Sequence, residues 1–230
     1  MMKKTIVLLV TILMTISLQA QNQKIRPTVS VTGKGIVEVT PDRVMIKVRA
    51  EHNGKTALEV KKQNDEVIDA VLKLCRKMNI DKKHVNTGRI NLNKNYDYQK
   101  KTYKYTANQS LNILLVDLDK YEKLMQGLLG SGINRIDGVE FKSSKIEEYK
   151  AAARIKAVEN AKEKAIAYAG VLNQKIGKAI SISENSANDP YYPQPRFKAA
   201  ISESDSFISE TIAVGELKIR TTVSIVFELN

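Results

Sequence analysis

Few side chains in this chain are equipped for covalent chemistry. Its 230 residues hold two histidines and one cysteine. His52 stands at the end of an alternating run beside Asn53-Gly54, and His84 follows Lys82 and Lys83. A histidine acts as base or ligand only with partners that orient it. Both are therefore expected as solvated loop residues. Cys75 falls beside Val71, Leu72 and Met78 at helical spacing. As the sole cysteine it closes no intrachain disulfide, and it reads as small apolar core filler, with a redox sensor or an intermolecular bridge as the alternative. The carboxylate pairs Asp65-Glu66 and Glu147-Glu148 fall on polar helix faces, where solvation explains them better than acid–base catalysis. Asp42 and Asp137 stand next to Pro41 and Gly138 and read as turn residues. The sequence carries no HExxH, GxSxG or CxxC pattern. Gly33-Lys34-Gly35 lacks the third glycine and the following helix of a phosphate cradle. The expectation is a protein that is no enzyme, with no catalytic residue, no metal ligand and no cofactor.

One constellation suits binding. Lys94, Lys100, Lys101 and Lys104 interleave with Tyr96, Tyr98, Tyr103 and Tyr105, downstream of Lys82, Lys83 and Arg89. Basic and aromatic residues on strands can hold single-stranded nucleic acid, but export argues against that partner. Cross-strand tyrosines also stabilise hairpins unaided. The functional reading is a basic, adhesive arm that meets an acidic partner subunit, lipid headgroups or envelope polysaccharide.

Export is read from residues 1–20. Lys3 and Lys4 precede an apolar run from Ile6 to Ile16, and Ala20 precedes a polar tail. That is the layout of a secretory signal peptide. The run is short of the ~20 apolar residues a membrane span needs, although an uncleaved anchor is the alternative. No later segment resembles a transmembrane helix. Lysine and arginine outnumber aspartate and glutamate, for a formal net charge of +12.

The elements that must position these residues follow from periodicity. Residues 28–39 alternate, with Val29, Val31, Val37 and Val39 on one face. Thr40-Pro41-Asp42 interrupts, and Val44, Ile46, Val48 and Ala50 line a second strand. The short link predicts that the two pair as an antiparallel hairpin. A helix is expected over about 56–78, stopped by Asn79 and Asp81. A long hairpin follows, from Gly88 to about Tyr98 and back through Tyr103, Tyr105, Ala107, Leu111, Ile113 and Leu115. Next come a short helix over 119–129, stopped by Gly130-Ser131-Gly132, and a strand over 133–141.

The longest helix is expected over about 145–172. Ala153, Ala157, Ala161, Ala165 and Ala169 form a small-residue ridge that lets it lie close to a sheet or to another helix. Val158, Ala161, Ala165, Tyr168 and Leu172 are expected as its buried face. A strand over 176–183, a Pro/Ser/Tyr-rich loop over 184–210 and a last strand over 214–229 complete the chain. The order β-β-α-β-β-α-β-α-β-β predicts an α+β fold, a mainly antiparallel sheet with helices packed on one side. The expected organisation is a signal peptide over 1–20, a linker over 21–27 and one α+β domain over 28–230.

Gly33-Lys34-Gly35-Ile36-Val37-Glu38-Val39-Thr40-Pro41-Asp42 resembles the opening signature of the SIMPL-domain family, the exported YggE-like proteins. Further stretches resemble it in order: Asp117-Leu118-Asp119-Lys120, then residues 132–139, the helix with Ala153-Arg154, Ala157, Ala161, Lys164-Ala165 and Tyr168-Ala169, then 172–177 and Gly215-Glu216. Val214 departs from the proline that many relatives carry there, which bears on where the last strand starts. The resemblance implies a periplasmic or outer-membrane-associated envelope protein, assembly into large ring- or channel-like homo-oligomers, and a link to oxidative-stress tolerance. It carries over no catalytic residue. The first functional expectation is thus a self-assembling, non-enzymatic envelope protein. The alternative is a monomeric module that binds an anionic envelope ligand through the Lys/Tyr hairpin.

Overall fold

The computed structural model describes residues 26–99, 101–184 and 214–230. The expected signal segment, most of the 21–27 linker, Lys100 and all but the first residue of the 184–210 loop lie outside the described residues. The elements are β1 (Thr28–Val39), β2 (Arg43–Gly54), α1 (Ala57–Lys77), β3 (Val85–Thr87), β4 (Asn91–Asp97), β5 (Thr102–Leu115), α2 (Tyr121–Gly130), β6 (Arg135–Lys142), α3 (Ile146–Val171), β7 (Ile176–Glu184) and β8 (Leu217–Leu229). Single 3-10 turns at Lys82–His84 and Leu118–Lys120 precede β3 and α2. The architecture is α+β, with antiparallel sheets and three helices. The described chain divides into two compact units, residues 26–35, 154–184 and 221–230 in one and 36–153 and 214–220 in the other.

The larger unit is built on the strand order β3-β5-β2-β6, with β4 also paired to β5. β2 and β5 pair without a break from Val44↔Leu115 to Gly54↔Tyr105. Strand side chains alternate between faces, so Val44, Ile46, Val48 and Ala50 share one face with Leu111, Ile113 and Leu115. All are buried. From α1 come Ile68, Val71 and Cys75, and from α2 Leu124 and Leu128, in the same core. The helix starts are set locally. Thr56 Oγ1 accepts from Glu59 N at 3.2 Å, and Glu59 Oε2 accepts from Lys55 N at 3.0 Å, which satisfies two N–H groups at the entry to α1. At its end Asn79 takes φ +58, and Ile80 N reaches Cys75 O at 2.9 Å. Cys75 is enclosed, and burial raises its thiol above the ordinary value despite the opposing charge of Arg76.

The smaller unit draws on the sheet β1-β8-β7 and on α3. Here the helix contributes methyl groups. Ala157, Ala161 and Ala165 pack with Val31, Val223, Ile225 and Phe227. Gly33 makes the close approach: a Cβ there would lie 2.0 Å from Ala157 O and 2.7 Å from Ala161 N. Lys34 N donates to Asn160 Oδ1 at 3.1 Å, and Lys164 Nζ donates to Thr32 O at 2.8 Å.

Several expectations are corrected. β1 and β2 do not pair: β1 lies beside β8, and both edges of β2 are taken, by β5 and β6. The buried side of α3 is the alanine ridge alone, whereas Val158, Tyr168 and Leu172 are exposed. His52 is within β2, not a loop, and faces the core with Nδ1 buried and unpartnered. Asp137 is within β6, beside a bulge, rather than at a turn. It accepts from Arg49 Nε at 2.9 Å and Arg135 Nε at 3.1 Å. A short strand, β3, precedes the long hairpin, and β8 begins at Leu217, after Gly215 at φ +62.

Candidate functional site

The Lys/Tyr hairpin is an overhang. β2 stops at Gly54, opposite Tyr105, while β4 and β5 continue to Asp97↔Thr102. Residues 102–104 thus pair only with β4. Lys94↔Tyr105 and Tyr96↔Tyr103 are direct cross-strand pairs. Alternation places them on the side that holds the core further along β5. Lys94 Nζ sits 4.0 Å from the Tyr103 ring centroid and 5.9 Å from that of Tyr105. Tyr96 meets Tyr98 edge-on at 5.1 Å and Tyr103 at 5.0 Å. Tyr98 is 85% exposed.

The candidate cations do not converge. Lys104 is on the opposite face, 3.0 Å from Asp97. Asp97 also accepts from Gln99 N at 3.1 Å, which shapes the turn. Lys101 occupies the turn at φ +49, and Lys100 lies outside the described residues. The arrangement is an exposed aromatic patch carrying one ammonium, with a neutralised ion pair behind it. Among the described residues it offers ring faces and the Lys94 ammonium for adhesion.

Beneath the root of this hairpin runs a buried polar contact. Asn64 Nδ2 of α1 donates to Gln109 Oε1 at 3.0 Å, and Gln109 Nε2 donates to Gly88 O at 2.9 Å. Asn64 Oδ1 is left unpartnered.

A second surface was not singled out by sequence reasoning. It lies on the outer face of the larger sheet, where a concavity of about 310 Å³ opens. Lys47, Lys83, His84 and Lys142 line it with Asn86 and Asn112. The alternation of β2 shows Met45 and Lys47 facing away from the core. Only the strand order brings residues 47, 84, 112 and 142 together. At the end of this sheet Asp42 Oδ1 accepts from Ser144 N at 2.7 Å, Ser144 Oγ donates to Oδ2, and Arg43 Nε donates at 3.2 Å. Burial works to raise this carboxyl, but the bonds from Ser144, with Arg43 beside it, outweigh burial and hold it below the usual carboxylate range. Among the described residues no group of three or more His, Cys, Asp or Glu is placed to hold a metal ion. No described helix is long and apolar enough to cross a membrane.

Comparison with known proteins adds a family. A family model, SIMPL, described as a protein of unknown function (DUF541), matches residues 29–227. The chain is 27% identical over 207 residues to the uncharacterized protein YggE of Escherichia coli, across 88% of this chain and 83% of that one. It is 26% identical over 222 residues to YggE of Edwardsiella ictaluri, across 94% and 93%. It is 27% identical over 213 residues to the 26 kDa periplasmic immunogenic protein of Brucella melitensis, across 87% and 84%.

Proposed function

From the SIMPL family, to which this chain belongs, we propose that it is an exported envelope protein that acts without catalysis, by assembling with copies of itself. The observation that carries the reading is the edge strand β7. Among the described residues it has one hydrogen-bonded neighbour, β8. It presents Ile180 and Ile182 at 52% and 62% exposure. An open apolar edge is a template on which another chain can add a strand. The periplasmic name of the Brucella relatives and the leader-like residues 1–20 support export to the periplasm. A ring- or channel-like assembly at the outer membrane, serving oxidative-stress tolerance, is the form that the family resemblance favours.

Light scattering coupled to size exclusion tests this reading. Protein purified from the periplasm should elute at a multiple of its chain mass, and the pair Ile180→Lys and Ile182→Lys should shift it to smaller species. A strict monomer at every concentration and salt level contradicts the proposal.

A second reading rests on the exposed Tyr96–Tyr98–Tyr103 cluster beneath Lys94. In it the hairpin adheres to an anionic envelope surface, with binding screened over about 8 Å at physiological salt. Reversing Lys94, whose ammonium sits on the cluster, to Glu should then abolish binding to anionic vesicles. Unchanged binding sinks this alternative.

A further inference from the structure

We propose that the outer face of the larger sheet is a binding site for a small, soluble phosphate ester. The floor is built rung by rung. On one rung Asn86 of β3 pairs with Asn112 of β5, Asn112 pairs with Lys47 of β2, and Lys47 pairs with Gly138 of β6. Gly138 has nothing within 4 Å of where a Cβ would stand, so space remains open at that end. On the rung two residues along, Leu114 pairs with Met45 and Met45 with Glu140. Two side-chain amides therefore adjoin two apolar side chains, and the ammoniums of Lys47, Lys83 and Lys142 rim them, with His84 alongside.

The charge arrangement points to an anion. Glu140 lies 3.5 Å from Lys47 and also 3.5 Å from Lys142, one carboxylate shared between two ammoniums at long range. Lys83 is held by Asp81 at 3.0 Å. That carboxyl is kept below its usual range chiefly by its hydrogen bond from Lys83, so it stays ionised. Three lysines thus face two carboxylates, and an entering anion can take the ammonium contacts that Glu140 makes poorly.

Phosphate is favoured over carboxylate by the donor type. Lysine offers a point charge that suits a phosphate from many directions, whereas planar carboxylate recognition favours the arginine fork. Among the described residues no arginine lines the concavity. A volume of about 310 Å³ is at the small end of ligand sites. Met45 and Leu114 can receive the carbon body of an ester, and the paired amides can take its hydroxyls. A membrane surface is disfavoured because the rim residues Lys47, Lys83, Asn86 and Lys142 offer no apolar anchor.

The test is a ligand-observed phosphorus NMR titration of protein purified from the periplasm. The probe is glycerol 3-phosphate at low salt, beside sedimentation with phosphatidylglycerol vesicles. Saturable binding should weaken by about twofold to fivefold in Lys47→Gln and in Lys142→Gln, the scale of an exposed charge contact. Glu140→Gln should bind more tightly, because it frees both ammoniums. Lys73→Gln removes an equal charge from the Lys73–Asp69 pair of α1 and should leave binding unchanged. Equal affinity in all four variants, no saturable binding of glycerol 3-phosphate, or binding to vesicles alone overturns the proposal. None of these outcomes depends on how many copies assemble.

Discussion

The two sheets of this chain each bury one face, and they use opposite means. In the larger unit, Ile46, Leu111, Ile113, Leu124 and Leu128 fill the space between sheet and helices with bulky side chains. In the smaller unit, Gly33 and the alanines of α3 bring helix and strand so near that backbone meets backbone. The first arrangement gains most of its free energy from apolar area removed from water. The second gains close dispersion contact and direct strand–helix hydrogen bonds through Asn160 and Lys164. The lesson is one of tolerance. A core of large residues is weakened by shrinking them, and a core of small residues is weakened by enlarging them.

The largest effect is expected from shrinking the larger core. Ile113→Ala should cost about 2–5 kcal/mol in a denaturant titration, through lost transfer energy and the cavity left behind. A loss near zero would mean that this core collapses freely. Next comes the reverse change in the smaller unit. Gly33→Ala adds one methyl, yet its Cβ would stand 2.0 Å from Ala157 O. No rotamer relieves a clash with backbone, so about 1–3 kcal/mol should be lost. Wild-type stability of that variant would remove the contrast between the units.

Asp42 sharpens the comparison at a polar tie of the larger unit. Its folded pKa is lowered, so its stabilisation is present above the ordinary carboxylate value of 3.8 and is lost as pH falls through the lower folded value. Asp42→Asn should reduce stability at neutral pH by about 1 kcal/mol and flatten the acid limb of a stability–pH curve. An unchanged acid limb would place the acid sensitivity elsewhere. The smallest effect is expected at Lys104, whose pair with Asp97 is on the exposed hairpin. Lys104→Gln should change stability by less than about 1 kcal/mol, checked by thermal melting.

Much of the larger unit was legible in the sequence, because one side of β2 and β5 is apolar at every second position apart from His52 and Gln109. The hairpin tip was legible in part: alternation along the return strand sets Lys104 on the face opposite Tyr103 and Tyr105, but placing Lys94 with those tyrosines needs the pairing Lys94↔Tyr105. The Lys104–Asp97 pair was not, since it needs the β4–β5 register. The β1–β2 pairing was misread because chain neighbours usually pair, whereas β2 is a central strand with both edges occupied. In α3 each four-residue step advances about 400°, so the alanine ridge winds slowly round the helix. A straight stripe drawn through Val158 and Tyr168 departs from it. His52 reads as a loop residue because Asn53-Gly54 reads as a turn, yet β2 runs on to Gly54. The sheet-face concavity depends on the β3-β5-β2-β6 order and had no local signal beyond the outward lysine at 47.

Assembly through the open edge is tested most directly by hydrogen exchange, followed by mass spectrometry at rising protein concentration. Peptides covering Ile176–Glu184 should exchange more slowly as concentration rises, because their outward amides gain strand partners, while peptides from α1 should not change. Exchange in β7 that stays the same at every concentration would contradict the account.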